Sequence, residues 1–175
     1  MFSKFQEIIF SNFVNKNLQK NYKNCVFQSL LLFICVSLVL LLHSLFGGII
    51  VASLGASSFI LFVTPHTNSS RARNLLGGYI CGAVSGILFS LLLNQISGFS
   101  FSGVDYALIF ICAAASALTT FLMVTTNLIH PPAAAFALGL SAEPACIKTA
   151  AAAMIGVIIL CTARHMLKKY LKDLI

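Results

Sequence analysis

Hydrophobic positions occur along this chain in blocks rather than in alternating stripes. Cys25 to Leu42, Leu75 to Leu93, Tyr106 to Thr126 and Ala145 to Ala163 are each predominantly apolar and long enough to cross a bilayer as one helix. Two further blocks are shorter and interrupted. Gly47 to Val63 opens on Gly47-Gly48, carries Gly55-Ala56-Ser57-Ser58 at its midpoint and stops before Pro65. A straight helix of that length would span only about 25 Å. The pattern therefore predicts a partly extended approach to Gly55 and a half-helix from Ala56 to Val63. The second interrupted block is Asn127 to Gly139, which contains His130-Pro131-Pro132-Ala133. Neither proline offers a backbone N–H, and Pro131 drives His130 out of the helical region, so the helix from Tyr106 should break near Ile129. A new helix can begin at Pro132, because proline suits a first helical turn.

Polar positions punctuate these blocks. Phe2, Phe5, Ile9 and Phe13 recur at helical spacing among lysine, glutamine and glutamate, which predicts an amphipathic interfacial segment over residues 1–24. Pro65 to Asn74 is a polar loop with Arg71 and Arg73, whereas Asn94 to Asp105 has no lysine or arginine. Counting both interrupted blocks as crossings gives six. That places the N-terminal lysines, Arg71, Arg73 and the basic segment 164–175 on one side, as the distribution of positive charge around membrane helices requires. The expected fold is all-α: a polytopic membrane domain over 25–163, with four full helices and two broken crossings. It divides into halves 25–93 and 106–163, each with the order span, broken crossing, span, and an odd number of crossings per half makes the halves inverted. The expected location is a bacterial inner membrane with both termini cytoplasmic.

Composition confirms the class and narrows the chemistry. Of 175 residues 59% are hydrophobic and 9% charged, and mean hydropathy is +0.97. The net charge of +7 sits mostly in the flanks and loops, which argues for membrane topology and against nucleic-acid binding. The six cysteines lack any C-x-x-C pair, and none of the His or Cys residues has metal-ligand spacing, so neither a metal nor a cofactor is expected. No carboxylate lies in an apolar block and no serine sits in a nucleophile elbow, so an enzyme is not expected. Gly78, Gly82 and Gly86 are four apart and predict a close helix contact, and a small protein with such faces is expected to form homo-oligomers.

If the two half-helices begin at Gly55-Ala56 and Pro132-Ala133, their N-termini would converge at membrane depth. Two positive dipole ends with unpaired N–H groups would bind a small monovalent inorganic anion. The expected binding residues are Gly55, Ala56, Ser57, Ser58, Asn127, His130, Pro131, Pro132 and Ala133. Three roles are open for His130: a hydrogen bond to the ligand, a proton relay, or a tie between the break and a neighbouring carbonyl. Arg71, Arg73 and Lys148 are candidates for an anion vestibule, with topology and snorkelling to the interface as the plainer explanations.

Leu54-Gly55-Ala56-Ser57-Ser58, Arg73-Asn74 followed by Gly77-Gly78, and His130-Pro131-Pro132-Ala133 resemble, in order, the motifs of the HPP family of integral membrane proteins. The resemblance covers roughly Gly47 to Ala163. It implies a small multi-helix membrane protein, usually described with four spans, and in cyanobacterial and chloroplast relatives it implies nitrite transport. Ala72, Tyr79 and Ala134 depart from the pattern, where proline, histidine and glycine are common. The expected function is transport of nitrite or nitrate. The alternative is a sensor or scaffold subunit that acts with a partner.

Overall fold

The structure, a computed structural model, describes residues 18–46, 51–96, 100–101, 104–143 and 146–174. The expected interfacial segment lies outside the described residues up to position 17; from Leu18 onward it already belongs to the first helix. The described residues form six α-helices: α1 (Leu18–Phe46), α2 (Val51–Val63), α3 (Ala72–Ile96), α4 (Tyr106–Thr126), α5 (Pro132–Ser141) and α6 (Cys146–Leu167). A 3-10 turn, Asn68–Ser70, precedes α3. The loop between α3 and α4 holds a minimal antiparallel ladder in which β1 (Ser100–Phe101) pairs with β2 (Val104–Asp105).

By length and composition, Ala72–Gln95 in α3, Tyr106–Thr126 in α4 and Ile147–Leu167 in α6 can each cross a membrane. α1 is 29 residues long. By contrast, α2 and α5 have 13 and 10 residues, about 20 Å and 15 Å of helix, which is too short to cross alone. The chain is thus an all-helical polytopic membrane protein in which long, short and long helices follow one another twice.

The short helices occupy the centre. α5 packs against α3, α4, α2 and α6, and Ala133, Phe136, Ala137 and Leu140 on it are fully buried. Side chains from α2 (Leu61, Phe62), α3 (Leu75, Tyr79) and α6 (Val157, Leu160) complete this core. α4 instead exposes Ile109, Phe110, Phe121 and Val124 on its outer face, as a lipid-facing helix does. The glycine face of α3 turns toward α5. A β-carbon on Gly82 would lie 2.7 Å from the Ala133 carbonyl oxygen, and one on Gly86 would lie 2.8 Å from Leu140 Cβ. Only glycine permits this approach of the two helices.

Most hydroxyls of the spans are satisfied within their own helix, as hydrocarbon demands, although Ser85 Oγ is buried without a partner. The hydroxyls of Thr119, Thr120, Thr125 and Thr126 all donate to carbonyls of α4 itself. Gln28 within α1, the end of α2, the break before α5 and the segment after α6 lie toward one end of the bundle. Gln28 Nε2 donates to the carbonyls of Phe62 and, at 2.8 Å, Lys172. Leu174 N donates to the Val63 carbonyl at 3.0 Å, and Asp173 accepts from the His66 backbone N–H at 3.1 Å. The basic C-terminal segment is therefore docked through residues 171–174, where the sequence suggested a plain tail.

Two boundaries differ from the sequence expectation. α2 is continuous through Gly55 and Ala56, so no half-helix begins there. A single glycine costs a helix only about 1 kcal/mol, and one face of α2, with Leu54, Ser57, Leu61 and Phe62, is buried. α4 ends at Thr126, earlier than the prolines require, because Asn127 adopts a left-handed conformation with φ 54°. Leu128 N then donates to the Met123 carbonyl at 2.9 Å, which closes the helix in the manner favoured by glycine or asparagine at this position.

Candidate functional site

The break between α4 and α5 is held by His130. This side chain is fully buried. Its Nδ1 lies 2.8 Å from the Ser69 carbonyl oxygen, which can only accept, so Nδ1 carries a proton. Nε2 lies 2.9 Å from Ser57 Oγ on α2. Ser57 Oγ is also 2.9 Å from the Tyr79 hydroxyl on α3 and 2.9 Å from the Ser53 carbonyl one turn back. The Tyr79 ring packs against both the imidazole and Phe136, with centroids 5.7 Å and 5.0 Å away. Helices α2, α3 and α5, the α2–α3 turn and the α4–α5 break are thereby joined through one buried cluster.

The loop that supplies Ser69 is itself braced. Ser70 Oγ donates to the Pro65 carbonyl at 2.6 Å, and Arg71 N donates to the Asn68 carbonyl at 3.0 Å. From α6, Arg164 Nη2 donates to the Pro65 carbonyl at 2.6 Å and to Ser70 Oγ at 3.3 Å. Arg164 thus ties the end of α6 to the turn that positions Ser69.

Directly over this turn lies a cavity of about 330 Å3 lined by Asn68, Ser69, Arg71, Arg73, Asn74, Asn127 and Ile129. Arg71, Arg73, Asn68 and Asn127 are exposed, whereas Asn74 is buried and its amide nitrogen lies within 3.5 Å of the Ile129 carbonyl. Two guanidinium groups and three amides meet here, and none of the lining residues is an acid. Such a surface attracts anions and can hydrogen-bond their oxygens.

Several residues expected to contact a ligand stand elsewhere. Gly55 and Ala56 are mid-helix, and a β-carbon added at Gly55 would meet nothing within 4 Å. Ser58 donates to the Leu54 carbonyl within its own helix. The start of α5 has no free set of N–H groups: Pro131 and Pro132 have none, and Ala133 and Ala134 donate to the carbonyls of His130 and Pro131. Convergence of two open helix N-termini is therefore not what this fold builds. α2 and α5 run in opposite directions, since His130 at the start of α5 meets the α2–α3 turn while Glu143 beyond its end accepts from Ser90 near the end of α3. Lys148, in the first turn of α6, is at that far end and does not reach the cavity. Asn127, Arg71 and Arg73 do line it. Asn68 and Ser69 join the site without having stood out in the sequence, and Tyr79, noted there only as a departure from the family pattern, joins it as well. Asn68 and Ser69 stand in the polar run before Arg71, which was the available signal, while the signal for Tyr79 was its place where the family pattern commonly has histidine.

Two short central helices, one opening on a proline break beside a basic cavity, define a polytopic membrane protein with an interrupted crossing. The profile of the family described as HPP, transmembrane region, matches residues 17–171. The chain belongs to this HPP transmembrane family. Neither a curated protein nor a solved structure matches it.

Proposed function

We propose that the protein transports a small monovalent anion, with nitrite or nitrate as the first substrates to test, and that the cavity at the α4–α5 break receives it. The observation that carries this reading is the pairing of Arg71 and Arg73 with three asparagine amides in one cavity without a lining carboxylate. The positive dipole end of α5 points to the same region and adds to the attraction without a free N–H.

The helix pairings support a transporter built on inverted halves. Exchange of each helix for the one three places on converts the α1–α2 contact into α4–α5, α3–α4 into α6–α1, and α3–α5 into α6–α2; α2–α5 and α3–α6 map onto themselves. Such architectures place their sites at interrupted helices between repeats. In this reading the basic end of the bundle, with Arg71, Arg73 and Lys168, is cytoplasmic.

The test is uptake of labelled nitrite into proteoliposomes with nitrate, formate and chloride as competitors. Saturable, competitor-sensitive flux is expected. Arg71→Gln or Arg73→Gln should raise the half-saturating concentration on the order of tenfold or more, the effect of losing one charged hydrogen-bond donor. Absence of saturable flux for all four anions from monodisperse protein would refute the reading and favour the partner-dependent sensor or scaffold.

A further inference from the structure

Resting on the anion-transport reading, we infer that the buried Ser57–His130–Tyr79 chain is a proton site coupled to the anion cavity, which makes the protein a proton–anion symporter. The geometry lets His130 exist in either charge state without movement of a heavy atom. In the neutral state Nδ1–H donates to Ser69, the Ser57 hydroxyl donates to Nε2, and the Tyr79 hydroxyl donates to Ser57 Oγ. When a proton is added at Nε2, the new N–H donates to Ser57 Oγ. The Ser57 hydroxyl then turns to the Ser53 carbonyl, 2.9 Å away. Tyr79 continues to donate to Ser57 Oγ, which accepts two hydrogen bonds and donates one. Every donor has an acceptor in both states, and one O–H rotation separates them.

Charge balance supplies the coupling. An imidazolium here is a buried cation, and buried charges need a counter-charge. The residues that face His130 are Tyr79 from α3, Ser57 from α2 and Ser69 from the turn. Arg71 and Arg73 line the cavity above, and Arg164 braces the same turn. α5 carries no titratable residue. Among the described residues, Asp173 pairs with His66, and Glu143 and Asp105 belong to the opposite end of the bundle. Among the described residues no carboxylate is therefore placed to neutralise the ring. An anion in the cavity, separated from the imidazole by Ser69 and Ile129, provides the missing charge. Each ligand then strengthens binding of the other, by reciprocal linkage. One proton and one monovalent anion move together as a neutral pair; the proton enters and leaves at a ring nitrogen, and no other bond is made or broken.

The experiment uses proteoliposomes with a luminal pH dye and the membrane potential clamped by valinomycin with equal potassium. Protein-free liposomes correct for leakage of the free acid. With nitrate or nitrite outside, the wild-type protein should acidify the lumen in step with anion entry. An external medium about one pH unit more acidic should drive anion accumulation to about tenfold over the external concentration. His130→Gln, which keeps hydrogen-bonding groups but cannot hold the proton, should lose both luminal acidification and acid-driven accumulation. Tyr79→Phe removes one hydroxyl from a ring that still packs on Phe136, and should shift the pH profile of flux in protein that remains folded. Saturable wild-type anion flux without luminal acidification would overturn the symport inference and leave the transport reading intact. Continued acid-driven accumulation by His130→Gln would also overturn it. Absence of anion flux would overturn both.

Discussion

Replacement of Gly82 by alanine tests the packing that holds the broken crossing in place. The added β-carbon would sit 2.7 Å from the Ala133 carbonyl oxygen and 3.0 Å from Phe136 Cδ1, against an ordinary contact of 3.4 Å or more. The first neighbour is backbone, so relief requires α5 to retreat by about 0.7 Å from α3. Overpacking of this kind costs about 1–3 kcal/mol, offset by about 1 kcal/mol from the better helix propensity of alanine. Gly55→Ala is the matched control. It gains the same propensity inside a helix, yet its β-carbon meets nothing within 4 Å. The difference between the two variants therefore isolates the steric cost, and for a chain of this size about 1–3 kcal/mol corresponds to on the order of 2–12 °C in melting temperature. The assay is retention of the monodisperse peak after heating detergent-purified protein. Gly82→Ala should melt below Gly55→Ala by that margin, and Gly55→Ala should match or exceed wild type. Equal stability of the two variants would refute the close approach of α3 and α5. Destabilisation by Gly55→Ala would refute a continuous α2.

Two further outcomes follow from the same geometry. Lys148→Gln should leave the half-saturating anion concentration of flux unchanged, because Lys148 lies at the far end of the bundle from the cavity; a severalfold rise would return it to the site. Arg164→Ala should lower stability by about 1.5–3 kcal/mol, the worth of a charged hydrogen bond, through loss of the contacts to Pro65 and Ser70, and thermal melting that matches wild type would show that the turn does not depend on Arg164.

The order of helices was legible because long apolar blocks and short interrupted ones have different physical meanings in a bilayer. Pro132 marked the start of α5 through its missing N–H and fixed φ, both local properties. The limits of local reasoning appear at Gly55, where tertiary packing decides whether a glycine interrupts a helix, and at Asn127, where one left-handed residue ends α4 before the prolines do. The charged vestibule was partly readable, since Arg71 and Arg73 stood in a polar loop and Asn127 at a predicted break. Tyr79 was marked only as a departure from the family pattern, and its partner was hidden, because nothing in an apolar block distinguishes a hydroxyl aimed at a buried serine from one at an interface. The docking of Lys172 and Asp173 was equally hidden, as it joins residues more than a hundred positions apart.

Ligand protection at the cavity tests the central claim most directly. Asn68 is exposed and lines the cavity with Arg71 and Arg73, so the thiol introduced by Asn68→Cys can be followed by its rate of maleimide labelling, with wild-type protein as the blank. Lys148→Cys, at the other end of the bundle, is the reference. The account predicts that nitrite or nitrate slows labelling at position 68 in a saturable way and leaves position 148 unaffected. Labelling at position 68 that is indifferent to both anions would contradict an anion site at the α4–α5 break.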